Sequence, residues 1–200
     1  MKTVAIIKYN AGNIRSVLFA LERLGVEAVV TDDHEQIRKA SHVIFPGVGA
    51  ANSAMPYLQE RGLDTLMRSL TQPFLGICLG MQLMCRHSEE GDTPCLGMFD
   101  IEVKRFPPTD ADGLRLKTPH MGWNALYDLR SPIMKDVKEG DYVYFVHSYY
   151  AELSTHAIGT CNYGLPFSAA LHKDNFYGVQ FHTEKSAGPG EQILKNFLTL

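Results

Sequence analysis

The chain has 200 residues, of which 45% are hydrophobic and 20% charged, an ordinary composition for a globular protein. This length predicts a single domain over residues 1–200, and a net charge of -3 without a basic run argues against a nucleic-acid partner. No apolar stretch approaches the roughly 18 residues of a membrane span, so we expect no membrane partner. The four cysteines lack Cys-x-x-Cys spacing, so we expect neither a metal site nor a disulfide framework. Together these features predict a cytoplasmic protein.

The first half of the sequence alternates short apolar strands with helices. The predicted elements are, in order, a strand at Val4–Lys8, a helix at Ile14–Leu24, a strand at Val26–Val30, a short helix ending at Ala40, and a strand at His42–Phe45. Asn13 is a suitable N-cap for the first helix, and Gly25 ends it. Strands separated by helices of this length indicate parallel βαβ units.

A strand-to-helix corner carries the candidate nucleophile. The segment Pro73–His87 begins as an apolar strand and continues at helical spacing, which places Cys78 at the corner. Gly76 and Gly80 flank it in a Gly-x-Cys-x-Gly pattern, which is typical of a sharp turn that a substrate can approach closely. The following helix presents its N–H groups, Leu79 first, to the sulfur and to a developing oxyanion. A buried, unreactive cysteine is the alternative, and the two glycines favour the nucleophile.

A second glycine-containing loop, Pro46–Ala50, follows the third strand. Glycines at the carboxyl end of a parallel strand lie where such sheets bind ligands. The loop does not match the dinucleotide-binding fingerprint, because Asn52 stands where its third glycine would be. By itself the loop indicates only a tight turn. Beside a candidate nucleophile, Gly49 becomes the candidate for the second N–H donor of an oxyanion hole.

From about Glu89 the pattern changes to prolines and short, closely spaced strands. The strands are predicted at Tyr142–His147, Ala157–Asn162, Phe167–His172 and Phe176–Phe181. We expect them to add an antiparallel extension to the parallel sheet. A final helix that begins at Gly188-Pro189 is expected to pack on the core through Ile193, Leu194, Phe197 and Leu198.

The end of the last predicted strand carries a candidate base. His182 and Glu184 are two residues apart, so a continuing strand would point both side chains to the same side. A cysteine nucleophile needs a base for its proton, and the base needs a carboxylate to fix its tautomer. Together with Cys78, these residues supply both.

Taken together, these motifs carry a family resemblance over essentially the whole chain. Gly-Ile-Cys-Leu-Gly-Met-Gln, Pro-Gly-Val-Gly and the terminal His-x-Glu resemble the class I (triad) glutamine amidotransferases, whose fold is flavodoxin-like α/β. A narrower resemblance rests on the segments beginning at Pro119, Tyr144 and Lys185, namely Pro-His-Met-Gly-Trp-Asn, Tyr-Phe-Val-His-Ser-Tyr and Lys-Ser. These are similar to the glutaminase subunits of imidazole glycerol phosphate synthase in histidine biosynthesis.

The resemblance implies that glutamine is hydrolysed to glutamate and ammonia through a Cys-His-Glu triad, without an organic cofactor or metal. Cys78 would attack the carboxamide, Leu79 and Gly49 would form the oxyanion hole, and His182 would protonate the departing ammonia. The residues implied for glutamine binding are Gly47, Gln82, His147, Ser148 and Tyr149.

The resemblance also implies a partner, a (β/α)₈ barrel cyclase that receives the ammonia and makes imidazole glycerol phosphate and an aminoimidazole carboxamide ribotide. The implied interface residues of this heterodimer are Asn13, Met121, Trp123, Tyr144 and Lys185. Trp123 is interpreted as an interface anchor on a Pro- and Gly-rich loop, since tryptophan is enriched among hot spots. One departure is Thr183 in place of the family proline, which restores a backbone N–H and frees φ, so the strand end is expected to be less rigid.

Other functions stay open at this stage. The chain could serve another ammonia-using synthase, such as one that aminates surface sugars or builds pyridoxal phosphate, and it would then purify with a different partner. A free-standing thiol hydrolase would be active alone and on substrates other than glutamine. A binding module would keep its function after Cys78→Ser, and the complete triad argues against it.

Overall fold

A computed structural model describes residues 2–10 and 13–200. Its elements alternate strand and helix in the first half and become mostly strands in the second. In order they are β1 (Val4–Ile7), α1 (Ile14–Arg23), β2 (Ala28–Thr31), α2 (His34–Lys39), β3 (His42–Gly47), α3 (Ala51–Glu60), α4 (Leu63–Arg68), β4 (Phe74–Cys78), α5 (Leu79–Met84), β5 (His87–Ser88), β6 (Thr93–Pro94), β7 (Glu102–Arg105), β8 (His120–Ala125), β9 (Tyr142–His147), β10 (Tyr149–Ala151), β11 (Ala157–Asn162), β12 (Pro166–Lys173), β13 (Phe176–Val179) and α6 (Ala187–Phe197), with 3₁₀ turns at Pro132–Met134 and Thr183–Lys185.

The central sheet has a parallel half and an antiparallel extension, as the sequence predicts. The parallel strands lie in the order β2-β1-β3-β4-β13, and β12 then pairs antiparallel with β13. The sheet continues through β10, β7, β5 and β6, while β11 pairs with β12 off this path. The predicted α/β fold with a mainly parallel core is therefore confirmed. Strands β8 and β9 form a separate antiparallel ribbon.

Hydrophobic side chains fill both faces of the sheet. On one face, α1 and α6 pack with strand residues such as Ile6, Ile44 and Ile77. On the other face, α3, α4 and α5 pack around residues such as Phe45 and Phe74. The final helix packs on the core, as predicted. Each face excludes water from the strands, so the carboxyl ends of β3 and β4 are held rigidly side by side.

Several predicted boundaries are wrong, and each has a local cause. Strand β3 extends to Gly47 rather than ending at Phe45, because Gly47 continues the register and pairs with Cys78 of β4. The last parallel strand ends at Val179, before the candidate base. Asn13 occupies the N-cap position of α1 in a left-handed conformation, and its side chain makes no capping hydrogen bond. The predicted loop around Asn13 includes Ala11 and Gly12, which lie outside the described residues.

The segment around Trp123 is also different from the prediction. The sequence predicts a loop, but the segment forms β8, whose hydrogen bonding to β9 pairs Trp123 with Tyr144.

Among the helices of residues 2–10 and 13–200, none combines the length and the apolar character that crossing a bilayer requires.

Candidate active site

Cys78 lies at a strained corner between β4 and α5. Its φ of 55° and ψ of -112° are rare for a residue other than glycine, and a residue is held in such a conformation only when its surroundings enforce it. The first residue of α5 is Leu79, whose backbone N–H has no partner within the helix. The corner therefore places the sulfur next to an N–H that no carbonyl of α5 accepts.

The two flanking glycines are required by close packing. A Cβ at Gly80 would overlap the backbone carbonyl oxygen of Phe45, and a Cβ at Gly76 would lie 2.9 Å from the backbone of Gly80 and Met81. Neither glycine has a positive φ. The predicted sharp corner is present, but its φ strain is borne by Cys78, and the glycines let α5 lie directly against β3 and β4.

His182 and Glu184 are in direct contact and are almost completely buried. His182 Nδ1 lies 2.6 Å from Glu184 Oε1, and the two side chains are 1% and 0% exposed. The pairing is as predicted, but the strand geometry invoked for it is wrong. Glu184 belongs to the 3₁₀ turn Thr183–Lys185, and His182 immediately precedes that turn. The turn brings the carboxylate to the Nδ1 edge of the imidazole ring.

Asn13 contacts this pair from the N-cap position of α1. Its side-chain amide donates a hydrogen bond to Glu184 Oε1 and lies 3.2 Å from His182 Nδ1. Because the carboxylate can only accept, the proton on the His182 side of the contact is on Nδ1. This tautomer leaves Nε2 of His182 as the basic nitrogen.

The charge state of His182 is set by its neighbours. Burial alone would lower its pKa, but Cys78 and Glu184 act in the opposite direction and raise the pKa of His182 to about 9. Nε2 is buried and makes no hydrogen bond of good geometry within the described residues. Cys78 is nevertheless one of the two side chains that raise the pKa of His182, so the sulfur and the imidazole ring interact electrostatically.

A cavity of about 320 Å³ opens at Cys78. Its lining is drawn from the corner, the loop after β3, the end of β9 and the start of β10, the residue before β8 and one acidic side chain. The lining residues are Val48, Gly49, Cys78, Leu79, Gln82, Glu90, Pro119, Val146, His147, Ser148 and Tyr149. Four of the five residues expected to bind glutamine, and both expected oxyanion donors, therefore surround one space. Gly47 is not among the lining residues and instead packs against Tyr9 and Leu79.

Gln180 is a site residue to which the sequence reasoning assigned no role. Its Nε2 lies 3.8 Å from Cys78 Sγ, and its Oε1 accepts a 2.9 Å hydrogen bond from Gln82 Nε2. Strand periodicity could have indicated it, since Gln180 and His182 are two residues apart. Gln180 is fully buried, so it fixes the position of Gln82 relative to the sulfur.

Tyr9 and Glu90 also adjoin the site. Tyr9 follows β1 and is buried against Phe45, with its hydroxyl beside Gly47. Glu90 lines the cavity and accepts a 2.8 Å hydrogen bond from the backbone N–H of Ala51. Nothing in the local sequence pattern separates Tyr9 from an ordinary core residue.

Three of the expected interface residues, Trp123, Tyr144 and Lys185, are neighbours in the structure. Trp123 is 50% exposed and Met121 62% exposed, and both are on the outer face of β8. Trp123 packs edge-on against Tyr144, whose ring lies 5.8 Å from Lys185 Nζ.

Within the described residues, no group of three or more His, Cys, Asp or Glu side chains is arranged to hold a metal ion.

Comparison with known proteins identifies the family of this chain. The family model "Glutamine amidotransferase class-I" matches residues 5–200. The chain is 58% identical over 197 residues to "Imidazole glycerol phosphate synthase subunit HisH" of Bacteroides fragilis, covering 98% of this chain and 99% of the relative. The protein of the same name from Bacteroides thetaiotaomicron is 55% identical with the same coverage. A relative from Legionella pneumophila named HisH 2 is 47% identical and covers 98% of each chain.

Solved structures share the fold at low sequence identity. PurLQS from Thermotoga maritima superposes with a TM-score of 0.71 at 16% identity, covering 99% of this chain and 98% of that one. A glutamine amidotransferase structure gives a TM-score of 0.70 at 18% identity, covering 98% and 97%. The match of the family model and the near-complete alignment with the HisH subunits lead to one conclusion: this chain belongs to the class-I glutamine amidotransferases, among the HisH subunits of imidazole glycerol phosphate synthase.

Proposed function

We propose that this chain is the glutaminase subunit of an imidazole glycerol phosphate synthase and that it hydrolyses glutamine to glutamate and ammonia for histidine biosynthesis. The observation that carries the proposal is the contact between His182 and Glu184 beside a cavity that contains the strained Cys78. The names of the relatives agree with this chemistry.

The first half of the reaction is acylation of Cys78. The sulfur, with its proton transferred to His182, attacks the side-chain carboxamide carbon of glutamine. The carbonyl oxygen becomes an oxyanion, for which Leu79 and Gly49 are the proposed N–H donors. His182 then gives its proton to the departing nitrogen, so the C–N bond breaks and ammonia leaves a γ-glutamyl thioester.

The second half is deacylation by water. His182, again neutral, takes a proton from water as the oxygen attacks the thioester carbon. The C–S bond breaks, glutamate leaves, and His182 returns its proton to the sulfur. Glu184 keeps the Nδ1 proton in place throughout, because its Oε1 accepts from Nδ1 at 2.6 Å.

Glutamine is proposed to bind with its amino-acid end against Ser148 and Tyr149. Gln82 lies between that segment and the nucleophile, since its Nε2 donates to the Tyr149 carbonyl oxygen at 2.9 Å and to Gln180 at 2.9 Å. Both bonds hold Gln82 still at the wall of the cavity. A rigid wall at this point fixes the distance from the amino-acid end to the carboxamide.

The raised pKa of His182 gives a pH prediction. The protonated ring needed to release ammonia is retained up to about pH 9 and is lost as the pH rises through that value. Glu184→Gln removes one of the causes that raise this pKa, so the basic limb of kcat/KM should move to lower pH by about one unit or more. We expect kcat to fall by about 10²- to 10⁴-fold, because the tautomer is no longer enforced.

The measurement is the pH profile of glutamate release for the wild type and Glu184→Gln. If the variant is too slow to assay, the pH dependence of the nitrogen-15 chemical shifts of the His182 ring reports the same ionisation. A profile that is identical in the two proteins would contradict the proposed role of Glu184.

The proposed partner is a (β/α)₈ barrel cyclase, docked on the surface formed by Asn13, Met121, Trp123, Tyr144 and Lys185. This surface adjoins the triad, since Asn13 touches both His182 and Glu184. A second cavity of about 310 Å³ lies there as well, and Trp123, Glu184 and Lys185 are among its lining residues. Ammonia released at Cys78 would be protected from bulk water if the partner covered this side.

Trp123→Ala tests the interface. An exposed tryptophan at the centre of an interface is a typical hot spot, so we expect the affinity for the cyclase to fall by about 30-fold, or about 2 kcal/mol. Titration calorimetry with the cyclase of the same organism measures the change. Leu153→Ala is the matched control, since Leu153 is 51% exposed and is not part of the proposed surface. Equal affinities for the wild type and Trp123→Ala would remove Trp123 from the interface.

Glutamate release by the chain alone, with the cyclase, and with the cyclase plus its ribonucleotide substrate tests the function. Strong stimulation by the cyclase supports the proposal. Activity that the cyclase leaves unchanged would contradict the partner and point to another ammonia-using synthase. High activity of the chain alone on other amides would indicate a free-standing thiol hydrolase.

A further inference from the structure

Two buried histidines connect β8 to the segment that lines the cavity. His120 of β8 and His147 of β9 are register partners in the antiparallel ribbon. His120 Nδ1 lies 3.0 Å from His147 Nε2, and His147 Nδ1 lies 2.7 Å from the Tyr149 carbonyl oxygen. At the other end, Asn124 Nδ2 lies 3.3 Å from His120 Nε2. The proposed catalytic mechanism uses neither His120 nor Asn124.

The direction of this hydrogen-bond chain follows from its last acceptor. A carbonyl oxygen can only accept, so His147 carries its proton on Nδ1, and Nε2 of the neutral ring is an acceptor. His120 must then donate from Nδ1, which leaves His120 Nε2 to accept from the Asn124 amide. All the donors therefore point towards Tyr149.

The orientation of the Asn124 amide is fixed by its other contacts. Its Oδ1 accepts a 2.8 Å hydrogen bond from the Ala125 N–H, and its Nδ2 also donates to the Asn162 carbonyl oxygen at 3.0 Å. A flipped amide would lose both bonds. Asn124 consequently presents an N–H, and never an oxygen, to His120.

The surroundings keep both rings neutral and still. His120 is 3% exposed and stacks between Phe145 and Tyr163, with ring centroids 4.8 and 4.0 Å away. Burial lowers the pKa of His120 to about 4 and that of His147 to about 3. A charged ring carries a proton on both nitrogens, so one of its N–H groups would face the N–H of a neighbour. The series of hydrogen bonds therefore requires both rings to be neutral.

The hydrogen-bond chain ends at Tyr149, beside the cavity. The Tyr149 carbonyl oxygen accepts from both His147 Nδ1 and Gln82 Nε2, at 2.7 and 2.9 Å. His147, Ser148 and Tyr149 line the cavity together. The position of this segment therefore depends on which nitrogen of His147 carries the proton.

We propose that Asn124 and His120 are positioning residues for the substrate: they set the tautomer of His147, which holds the Tyr149 carbonyl and the adjoining cavity wall where the amino-acid end of glutamine binds. This inference rests on the proposed function, because it takes glutamine as the occupant of the cavity. Neither residue touches the reacting atoms. The hydrogen-bond chain therefore affects substrate binding and leaves the chemical steps unchanged.

Asn124→Asp tests the proposal by reversing the first donor. A carboxylate can only accept, so His120 must carry a proton on Nε2. If His120 is neutral, its Nδ1 then accepts from His147 Nε2, and His147 loses the proton that binds Tyr149. We expect nitrogen-15 chemical shifts of the rings to report this change, and the KM for glutamine in the cyclase complex to rise about tenfold with kcat within about twofold.

Asn162→Asp is the matched control. Asn162 is exposed and contributes only its backbone carbonyl to Asn124, so this variant adds the same charge nearby without changing a donor. Its ring shifts and KM should equal those of the wild type. Asn124→Ala removes the donor without adding an acceptor, so its KM for glutamine should lie between those of the wild type and Asn124→Asp. If Asn124→Asp does not fold, Asn124→Ala is measured in its place.

Unchanged ring tautomers, or an unchanged KM in an active complex, would overturn the inference and leave the proposed function intact. A wild-type complex that releases no glutamate would overturn the proposed function, and the inference with it. Equal effects of Asn162→Asp and Asn124→Asp would show that added charge, rather than the donor direction, moves the KM, which also overturns the inference.

Discussion

Replacing Cys78 by serine is expected to lower glutamate release by the cyclase complex by about 10⁴-fold or more. Cys78 has a strained φ of 55° and adjoins the Leu79 N–H, which has no partner within α5. It also raises the pKa of His182, the proposed acceptor of its proton. A serine hydroxyl in the same place is a much weaker nucleophile. Steady-state glutamate release at saturating glutamine measures the loss.

Cys85→Ser is the control for this substitution. Cys85 is also buried, lies seven residues further on and donates from its sulfur to the Met81 carbonyl oxygen, a bond that a serine hydroxyl can keep. Activity within a few-fold of the wild type is expected for Cys85→Ser. If Cys78→Ser retained comparable activity, another residue would have to be the nucleophile.

Gly80→Ala is expected to be the most destabilising small substitution at the site. The added methyl group would overlap the Phe45 carbonyl oxygen, which is backbone in the central strand β3 and cannot turn aside. Relieving the overlap requires α5 to move away from the sheet and to carry the Cys78 corner with it. We expect the free energy of unfolding to fall by about 3 kcal/mol.

Chemical denaturation of Gly80→Ala and Gly188→Ala checks this prediction. Gly188 is in α6, and a Cβ there would meet no heavy atom within 4 Å. Its replacement should change the free energy of unfolding by no more than about 1 kcal/mol, and in the stabilising direction. A Gly80→Ala protein as stable as the wild type would contradict the close approach of α5 to β3.

The parallel half of the fold could be predicted because local pattern and tertiary structure agree there. Apolar runs of four or five residues became β1, β3 and β4, and Asp33 caps α2 by accepting from the Gln36 N–H. The nucleophile corner was predictable for the same reason, since strand and helix periodicities meet at Cys78. The signals are local and need no knowledge of distant contacts.

The remaining features depend on contacts between distant parts of the chain. The 3₁₀ turn that brings Glu184 to His182 Nδ1 interrupts a pattern that is typical of a strand. The Asn13 side chain makes no capping bond and instead donates to a carboxylate 171 residues away. His120 carries no special local signal, and the only local signal for Gln180 is its spacing of two residues from His182. Their roles follow from neighbours that tertiary folding supplies, so sequence patterns alone did not reveal them.

Thr183 stands where the family resemblance predicts proline, and the structure gives it a definite place. It begins the 3₁₀ turn and is 2% exposed, and its hydroxyl has no hydrogen-bond partner within the described residues. The predicted effect of the missing proline on rigidity stays a prediction. The contact between His182 and Glu184 is present with threonine between them.

The most direct test of the proposed chemistry is labelling with 6-diazo-5-oxo-L-norleucine, a glutamine analogue that alkylates a nucleophile in a glutamine site. With the cyclase complex, we predict one equivalent of label, located on Cys78 by peptide mass spectrometry, with loss of glutamate release and protection by glutamine. Inactivation with the label on another residue, or full labelling of Cys78 with glutamate release retained, would contradict the assignment of Cys78 as the nucleophile.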